Sequence, residues 1–203
     1  MSKDNYESII LSYLPKAFER GIEVLKEAIP AEATGDGLLF KAFGANCLLT
    51  ENAVMLDGVK ETGPKGVLIS IYALHAPTAQ VSPSSWKAFR DFPNTMPYWG
   101  AFRSNAEEIL VPYVEAISGA REKILERFGG NHAPDSPGDF ALILWPLPKV
   151  PLLYIFYLPD EEFPAEAKCL FADEYPFMPV DAMADVAEYT SRSIINLVKK
   201  GTV

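Results

Sequence analysis

The chain has 203 residues, 49% of them hydrophobic, and a formal net charge of −9 from 27 acidic and 18 basic side chains. A chain of this length buries one sizeable core, so a single domain is the default expectation. The acidic excess would repel the phosphates of nucleic acids and anionic lipid headgroups, which makes both poor partners. A small molecule or another protein remains as a partner.

Neither the N-terminus nor the longest apolar run indicates export or membrane insertion. The first seven residues are polar and lack the apolar region of a signal peptide. The apolar run Leu152–Leu158 is far shorter than the roughly 20 residues of a membrane span. Cys47 and Cys169, the only cysteines, are too few for a disulfide framework or a zinc site. We expect reduced core cysteines and a cytoplasmic protein.

The N-terminal segment has helical periodicity. Apolar residues recur every three or four positions with charged residues between them, which predicts a helix over residues 4–29. Pro15 lacks a backbone N–H, so we expect the helix to kink or split near Leu14. Pro30 then ends the helix, and a glycine-rich loop follows.

Residues 38–58 contain short apolar runs separated by turn-forming residues such as Gly44 and Asp57-Gly58. This punctuation predicts a small antiparallel meander. Its strands are Leu38–Phe43, Asn46–Thr50 and Val54–Leu56. The apolar run Val67–Leu74 that follows fits a buried strand or a helix, and its length favours a helix.

Residues 77–100 combine several prolines with five large aromatic side chains. This composition is typical of an ordered aromatic loop, and we expect the loop to cover a cleft. Helical spacing resumes at Phe102 and continues to Phe128, with breaks expected at Pro112 and Gly119.

The strand-rich half of the chain spans residues 139–172. Its three apolar runs have the length and composition of strands in a sheet that is covered on both faces. They are Phe140–Trp145, Leu152–Leu158 and Ala167–Phe171. An amphipathic helix is predicted over residues 180–200, opened by Pro179 and Asp181. The expected fold is therefore a single α+β domain with an antiparallel or mixed sheet flanked by helices.

The familiar catalytic and nucleotide-binding motifs are absent. No glycine-rich loop joins a strand to a helix, and there is no P-loop, Gly-x-Ser-x-Gly elbow or His-Glu-x-x-His motif. Only His75 and His132 offer an imidazole. His75 ends an apolar segment and is either a metal or axial ligand facing a pocket, or a helix-end histidine bonded to backbone. His132 lies in a glycine-rich loop, where an exposed side chain is the simpler expectation.

Carboxylates cluster between two predicted strands. Asp160, Glu161 and Glu162 are consecutive, and such a group can bind a hard cation or share one proton. Consecutive side chains rarely face one site, so a solvated acidic turn is the competing interpretation. Asp139, which opens a strand, is either a functional carboxylate or a turn residue.

Aromatic and arginine side chains alternate in the proline-rich region. Trp86, Arg90, Trp99 and Arg103 together would suit a planar anionic ligand held by stacking and by bidentate hydrogen bonds. The competing interpretation is that these residues only bury aromatic bulk under a long loop.

Two groups of motifs resemble those of the prokaryotic family called domain of unknown function 3786. The more specific group comprises Gly138–Ala141, Leu147–Leu152, Asp160–Ala165 and Leu170-Phe171. The second comprises Trp86–Pro93 and Ala101–Arg103. The resemblance spans residues 40–190. It departs from the family after the Leu-Phe pair, where Ala172-Asp173 stands in place of the usual Asp.

The resemblance implies an anaerobe's cytoplasm and a link to metallocofactor metabolism, because members occur mainly in anaerobic bacteria and archaea rich in corrinoid and iron–sulfur enzymes. Some members carry a cysteine-rich cluster domain, of which this sequence shows no sign. The family brings no assigned activity with it.

Three hypotheses follow. The first is a pocket for a small ligand such as a tetrapyrrole, with His75 as axial ligand and Arg90 and Arg103 binding its carboxylates. The second is a metal-assisted or acid–base enzyme that uses Asp139 and the acidic turn, with a divalent metal as cofactor. The third is a protein-interaction module that presents the aromatic loop to a partner.

Overall fold

The computed structural model, which describes residues 3–173 and 177–199, contains two antiparallel five-stranded sheets with helices before, between and after them. The helices are α1 (Lys3–Phe18), α2 (Ile22–Ala28), α3 (Pro64–His75), α4 (Met96–Phe102), α5 (Val114–Gly119), α6 (Arg121–Phe128) and α7 (Val180–Lys199). A π-helical turn (Arg103–Glu107) and a 3-10 helix (Glu108–Tyr113) join α4 to α5. The predicted α+β class is confirmed.

The first sheet is a meander in which each strand pairs with the next. Its strands are β1 (Glu32–Thr34), β2 (Gly37–Ala42), β3 (Ala45–Leu49), β4 (Val54–Leu56) and β5 (Val59–Lys60). The predicted meander is confirmed, and the two short edge strands add to it. Burial alternates along β2, where Leu38 and Phe40 face the core and Leu39 and Lys41 are exposed. That alternation fixes the register, because a slip of one residue would expose the core side chains.

The second sheet has the order β6-β10-β9-β8-β7. Its strands are β6 (Trp86–Ala88), β7 (Asn131–His132), β8 (Phe140–Leu147), β9 (Val150–Tyr157) and β10 (Glu166–Ala172). The three strands predicted for residues 139–172 are present, and the central strand β9 is buried along almost its whole length. The prediction of a loop over residues 77–100 was wrong in part, because β6 pairs with the end of β10 and α4 begins at Met96.

The N-terminal helix breaks at a different place from the one predicted. Helix α1 continues through Pro15 to Phe18, and the break lies at Gly21, whose φ of 88° favours glycine. The carbonyl that Pro15 leaves without a helical partner belongs to Leu11, which lies on the exposed side of α1. Water can bond that carbonyl there, so the proline costs the helix little. Helix α7 follows its prediction to Lys199, and Lys200 lies outside the described residues.

One continuous hydrophobic core joins both sheets to α1, α3 and α7. Buried hydrogen bonds cross this core: Tyr154 of β9 bonds the Ala187 carbonyl oxygen at 3.2 Å and the Ser191 hydroxyl at 3.1 Å, both on α7. Ser191 in turn donates to the Ala106 carbonyl oxygen at 2.6 Å. These bonds fix α7 against the sheet and the π-helical turn. Among the described residues, no helix is long and apolar enough to cross a membrane.

Lys149, in the turn between β8 and β9, is buried to 2% exposure. Its Nζ donates to four backbone carbonyl oxygens, those of Glu27 at 2.9 Å, Pro77 at 2.7 Å, Thr78 at 2.9 Å and Ala79 at 3.0 Å. Burial lowers the pKa of Lys149. The four oxygens offset that cost, because hydrogen bonds to a charged donor are stronger than neutral ones.

Arg20 holds the adjoining stretch of chain. Its guanidinium donates to the carbonyl oxygens of Ala73 at 2.7 Å, Leu74 at 3.1 Å and Ala76 at 2.7 Å. These oxygens lie at the C-terminal end of α3, where helical carbonyls lack partners and a cation is favoured. Arg20 and Lys149 together fix almost every carbonyl from residue 73 to residue 79.

Replacing Lys149 with methionine tests this arrangement. Lys149→Met keeps most of the length of the side chain but removes the donor of four partly buried hydrogen bonds. We expect the free energy of unfolding to fall by about 3 kcal/mol or more. For a chain of this size, that loss lowers the melting temperature by roughly 6–12 °C. Urea denaturation and calorimetry measure both quantities.

Lys26→Met is the matched control, because Lys26 is more exposed and its Nζ pairs with Glu23 on the same helix. We expect a change of about 0.5 kcal/mol or less in this variant. Equal losses in the two variants would show that Lys149 stabilises the fold no more than a surface lysine does.

The carboxyl group of Asp185 on α7 makes the free energy of unfolding depend on pH. Partial burial, and the neighbouring carboxylates of Glu188 and Asp181, raise its pKa from 3.8 to about 6. The folded state therefore binds the proton more tightly than the unfolded state, and stability falls as pH rises from about 4 to about 6. Asp185→Asn should raise the free energy of unfolding at pH 7 by up to about 1 kcal/mol, a figure discounted for the exposure of this side chain. Urea denaturation at pH 4 and pH 7 checks this, and an equal gain at both would contradict it.

Candidate functional site

The structure brings Arg90 and Trp99 together. The guanidinium carbon of Arg90 lies 5.8 Å from the centroid of the Trp99 ring, within the range of a cation–π contact. Arg90 Nε also lies 3.8 Å from Asp91 Oδ1. Arg103 Nε lies 2.8 Å from Glu108 Oε1. Both arginines are exposed and already have a carboxylate near them, which weakens them as dedicated ligands for an anion.

Most of the aromatic bulk in this region packs inward. Phe89 stacks on Phe102 with ring centroids 4.5 Å apart, and both contact Phe171 of β10. Trp99 stacks on Phe102 at 5.9 Å. Trp86, on the edge strand β6, packs partly buried against both faces of the second sheet. Burial of aromatic surface thus accounts for much of this sequence pattern.

The two histidines lie apart, and both are exposed. His75 is the last residue of α3, between the carbonyls that Arg20 binds. His132, on the edge strand β7, has its Nε2 2.8 Å from Glu122 Oε1. The position of His132 agrees with the expectation of an exposed residue.

The acidic turn is closed by its own first residue. Asp160 Oδ1 accepts hydrogen bonds from the backbone N–H groups of Phe163 at 2.7 Å and Glu162 at 2.8 Å. These two donors, Phe163 first, hold the pKa of Asp160 below its ordinary value. Asp160, Glu161 and Glu162 are all exposed. The turn therefore has a structural explanation that needs no ligand.

Asp139 and Asp160 line one cavity of about 460 Å³, together with Phe163 and Glu166. Asp139 Oδ2 accepts the Leu158 N–H at 2.7 Å, which ties it to the end of β9. Within residues 3–173 and 177–199, no group of three or more His, Cys, Asp or Glu side chains is placed to hold a metal ion. The structure thus brings two of the four candidate carboxylates together without forming a metal site.

A larger cavity of about 640 Å³ lies elsewhere, between the first sheet, the start of α3, α6 and α7. We call it the cationic cleft, after the four basic side chains that line it: Lys41, Lys65, Lys123 and Arg127. Its other lining residues include Phe43, Asp57, Glu61, Glu126, Ser193 and Asn196. Sequence reasoning pointed to none of these residues as a site.

Two hairpin turns of the first sheet border the cationic cleft. Phe43 and Gly44 form the turn between β2 and β3, and both have positive φ, 50° and 74°. Two positive values suit a two-residue hairpin, but a bulky residue such as phenylalanine rarely adopts them. The Phe43 N–H donates to the Pro146 carbonyl oxygen at 2.6 Å, which ties the turn to β8. The strain places an aromatic ring at the cleft instead of the usual small polar residue.

The second turn, Asp57-Gly58, holds Arg127. Arg127 Nη2 lies 3.0 Å from Asp57 Oδ2, while Asp57 Oδ1 accepts the Asn46 N–H at 2.9 Å. These two donors, Asn46 first, hold the pKa of Asp57 below its ordinary value. A Cβ on Gly44 would lie 2.9 Å from Arg127 Cγ, so glycine lets the arginine stem approach the backbone closely. Arg127 is thus fixed at the border of the cleft.

Lys65 is the least exposed cation in the cleft. Its Nζ donates to Ser193 Oγ at 2.8 Å and lies 5.4 Å from the centroid of the Phe43 ring. Burial lowers the pKa of Lys65 and Arg127 adds to the effect, while Glu61 opposes it. Lys65 is the second residue of α3, at the positive end of the helix dipole, where a cation is disfavoured.

The model of a protein family described as a domain of unknown function (DUF3786) matches residues 22–193. The chain belongs to this family. The match covers most of the chain and confirms the resemblance that its motifs indicated. No curated protein and no solved structure matches the chain. The range shared with DUF3786 includes all four basic residues of the cationic cleft and ends at Ser193.

Two local signals in this DUF3786 chain point to the cleft only when they are combined. Phe43-Gly44 stands between two strands where Asn-Gly or Asp-Gly is expected, and Lys65 follows Pro64 at a helix start where acidic residues are preferred. Each departure is minor alone. Their convergence depends on how α3 and the first sheet pack, which the sequence does not display.

Proposed function

We propose that the protein binds a small metabolite with an anionic oxygen group, a phosphate or a carboxylate, in the cationic cleft. The observation that carries this proposal is that four basic side chains, against three carboxylates, line one cavity in a chain of net charge −9. Acidic proteins that bind anions need such a local reversal of charge.

The cations of the cleft are only partly neutralised within the protein. Among the described residues, Lys41, Lys65 and Lys123 form no salt bridge, and Arg127 pairs with Asp57 through a single nitrogen. Two of the three carboxylates that line the cleft are engaged: Asp57 also accepts the Asn46 N–H, and Glu61 accepts the Gly63 N–H at 2.6 Å. An incoming anion would therefore find donors available for hydrogen bonds.

The dimensions of the cleft favour a small molecule. A volume of about 640 Å³ falls within the range of about 300–1,000 Å³ that small-ligand sites occupy. Phe43, Leu56 and Leu197 give it apolar surface beside the charges. This combination suits an organic anion with an apolar body better than a bare inorganic ion.

The other site hypotheses have less geometric support. The cationic cleft, the cavity beside Asp139 and Asp160 and a further cavity between α5, α6 and α7 are not lined by His75, Arg90 or Arg103, so these three cavities give the tetrapyrrole hypothesis no support. The acid–base alternative keeps Asp139 and Asp160 at one cavity. Both stay predictions, as does the interaction module, for which exposed Met96 and Tyr98 are the most prominent apolar side chains near the aromatic region.

A cytoplasmic location in an anaerobe belongs to the same proposal. Cys47 and Cys169 are both unpaired and buried, and burial raises the pKa of Cys47 to about 12. Thiols of this kind suit a reducing compartment. The net charge of −9 supports a small molecule rather than nucleic acid as the ligand. The anaerobe rests on the family resemblance alone.

Calorimetric titration with phenyl phosphate and with phenylacetate tests the proposal, since both probes carry an apolar ring and the two separate phosphate from carboxylate recognition. We expect binding by at least one probe, with an affinity that falls as salt is raised, because the contacts are electrostatic. Arg127→Met should weaken that binding about tenfold or more, the equivalent of about 1.4 kcal/mol.

The matched control is Arg192→Met, because Arg192 pairs with Glu188 on α7 and does not line the cleft. We expect its affinity to equal that of the unmodified protein. Absence of binding by both probes at low salt, or equal weakening in the two variants, would rule out the cationic cleft as the anion site.

A further inference from the structure

We infer that Lys65 forms an imine with the carbonyl group of an anionic ligand, such as an aldehyde that carries a phosphate group, bound in the cationic cleft. This inference rests on the proposed function and assigns different roles to the cations. Arg127 and the exposed lysines would hold the anionic group, while Lys65, deeper in the cleft, would react with the carbonyl.

The hydrogen bonds around Lys65 leave its lone pair available. Ser193 Oγ donates its hydrogen to the Tyr189 carbonyl oxygen at 2.7 Å. The hydroxyl oxygen can then only accept from Lys65 Nζ, which lies 2.8 Å away. A neutral Lys65 amine therefore uses an N–H bond toward Ser193 and keeps its lone pair for an electrophile. Only the amine, not the ammonium ion, attacks a carbonyl carbon.

The surroundings of Lys65 favour the neutral amine. The face of the Phe43 ring favours the ammonium ion, but burial disfavours it, and Arg127 lies near enough to disfavour a second positive charge. The positive end of the α3 dipole acts in the same direction. Glu61 opposes them, although one of its oxygens is engaged by the Gly63 N–H. The remaining charged side chains that line the cleft are Lys41, Asp57, Lys123 and Glu126.

Two locally unfavourable features lie at the Lys65 amine. A phenylalanine adopts a left-handed backbone conformation to reach the cleft, and a lysine occupies the first turn of a helix. Strained backbone and disfavoured charges concentrate at functional sites, where the surrounding fold holds them in place. A lysine needed only for anion binding would be better placed in the solvent-exposed part of the cleft, with its full charge.

The proposed step balances without a further reactant. Lys65 Nζ attacks the carbonyl carbon and forms a C–N bond, and a proton moves from nitrogen to oxygen to give a carbinolamine. The C–O bond then breaks, and the oxygen leaves as water with both hydrogens of the original amine. The product is a C=N bond, and no electron is gained or lost.

Reductive trapping tests the inference. The protein is incubated with pyridoxal 5′-phosphate, an aldehyde that carries a phosphate. It is then treated with sodium borohydride, which reduces an imine to a stable secondary amine. We expect one adduct per chain by intact mass, located at Lys65 by peptide mapping. Labelling of Lys65 should exceed that of any other lysine by about tenfold, the equivalent of about 1.4 kcal/mol.

Variants give the test its controls. Lys65→Arg should lose the adduct, while Lys168→Arg, whose lysine lies on β10 outside the cleft, should keep it. If Lys65→Arg folds poorly, peptide mapping of the unmodified chain still decides the outcome. Labelling spread evenly over the exposed lysines would overturn the inference.

A parallel titration separates this inference from the proposed function. Pyridoxine 5′-phosphate carries the same phosphate but has an alcohol in place of the aldehyde, so it can bind and cannot form an imine. Binding of this compound without trapping of the aldehyde at Lys65 would refute the imine and leave anion binding standing. Failure of both binding and trapping, together with no binding of the carboxylate probe, would refute the two together.

Discussion

The buried ammonium group of Lys149 is the contact on which the fold most depends. Its four carbonyl partners come from two distant parts of the chain, the last turn of α2 and the loop after α3, and Lys149 itself lies between two strands of the second sheet. A buried charge of this kind is stable only when its surroundings supply enough oxygen atoms. The ammonium group has all its oxygen partners only when these three segments are in their native positions. Lys149 therefore stabilises the tertiary structure rather than any single helix or strand.

The sequence predicted elements well where local chemistry decides them. Asp57-Gly58 set a hairpin turn, and period-two burial set β2, because both depend on neighbours in the chain. The predictions failed where contacts between residues far apart in the chain determine the structure. Trp86–Ala88 became a strand because β10 offers it a free edge, and Pro15 was tolerated because its helix exposes Leu11 at that point. The role of Lys149 was invisible for the same reason, since its four oxygens lie far away in sequence.

The same distinction between local and distant contacts applies to the candidate site. Asp160 was predicted as a site residue from the carboxylates next to it, and Arg90 and Trp99 from the arginine and aromatic residues around them. The structure gives these residues local contacts within the protein. The residues of the cationic cleft come from several strands and turns of the first sheet and from three helices, so no window of sequence contains more than a few of them. Residue type alone predicts too many functional sites in acidic turns and aromatic loops. Acidic residues also commonly close turns, and aromatic residues commonly cover a core.

Helix α3 connects the structural and the functional parts of the molecule. Its C-terminal end is held by Arg20, and the loop beyond it by Lys149, while its N-terminal end presents Lys65 to the cleft. With 12 residues, the helix separates these ends by about 18 Å. A rigid element fixed at one end positions a side chain at the other more accurately than a loop does. The disfavoured position of Lys65, at the start of a helix and beside Arg127, is sustained because α3 is fixed elsewhere and has no freedom to relieve it.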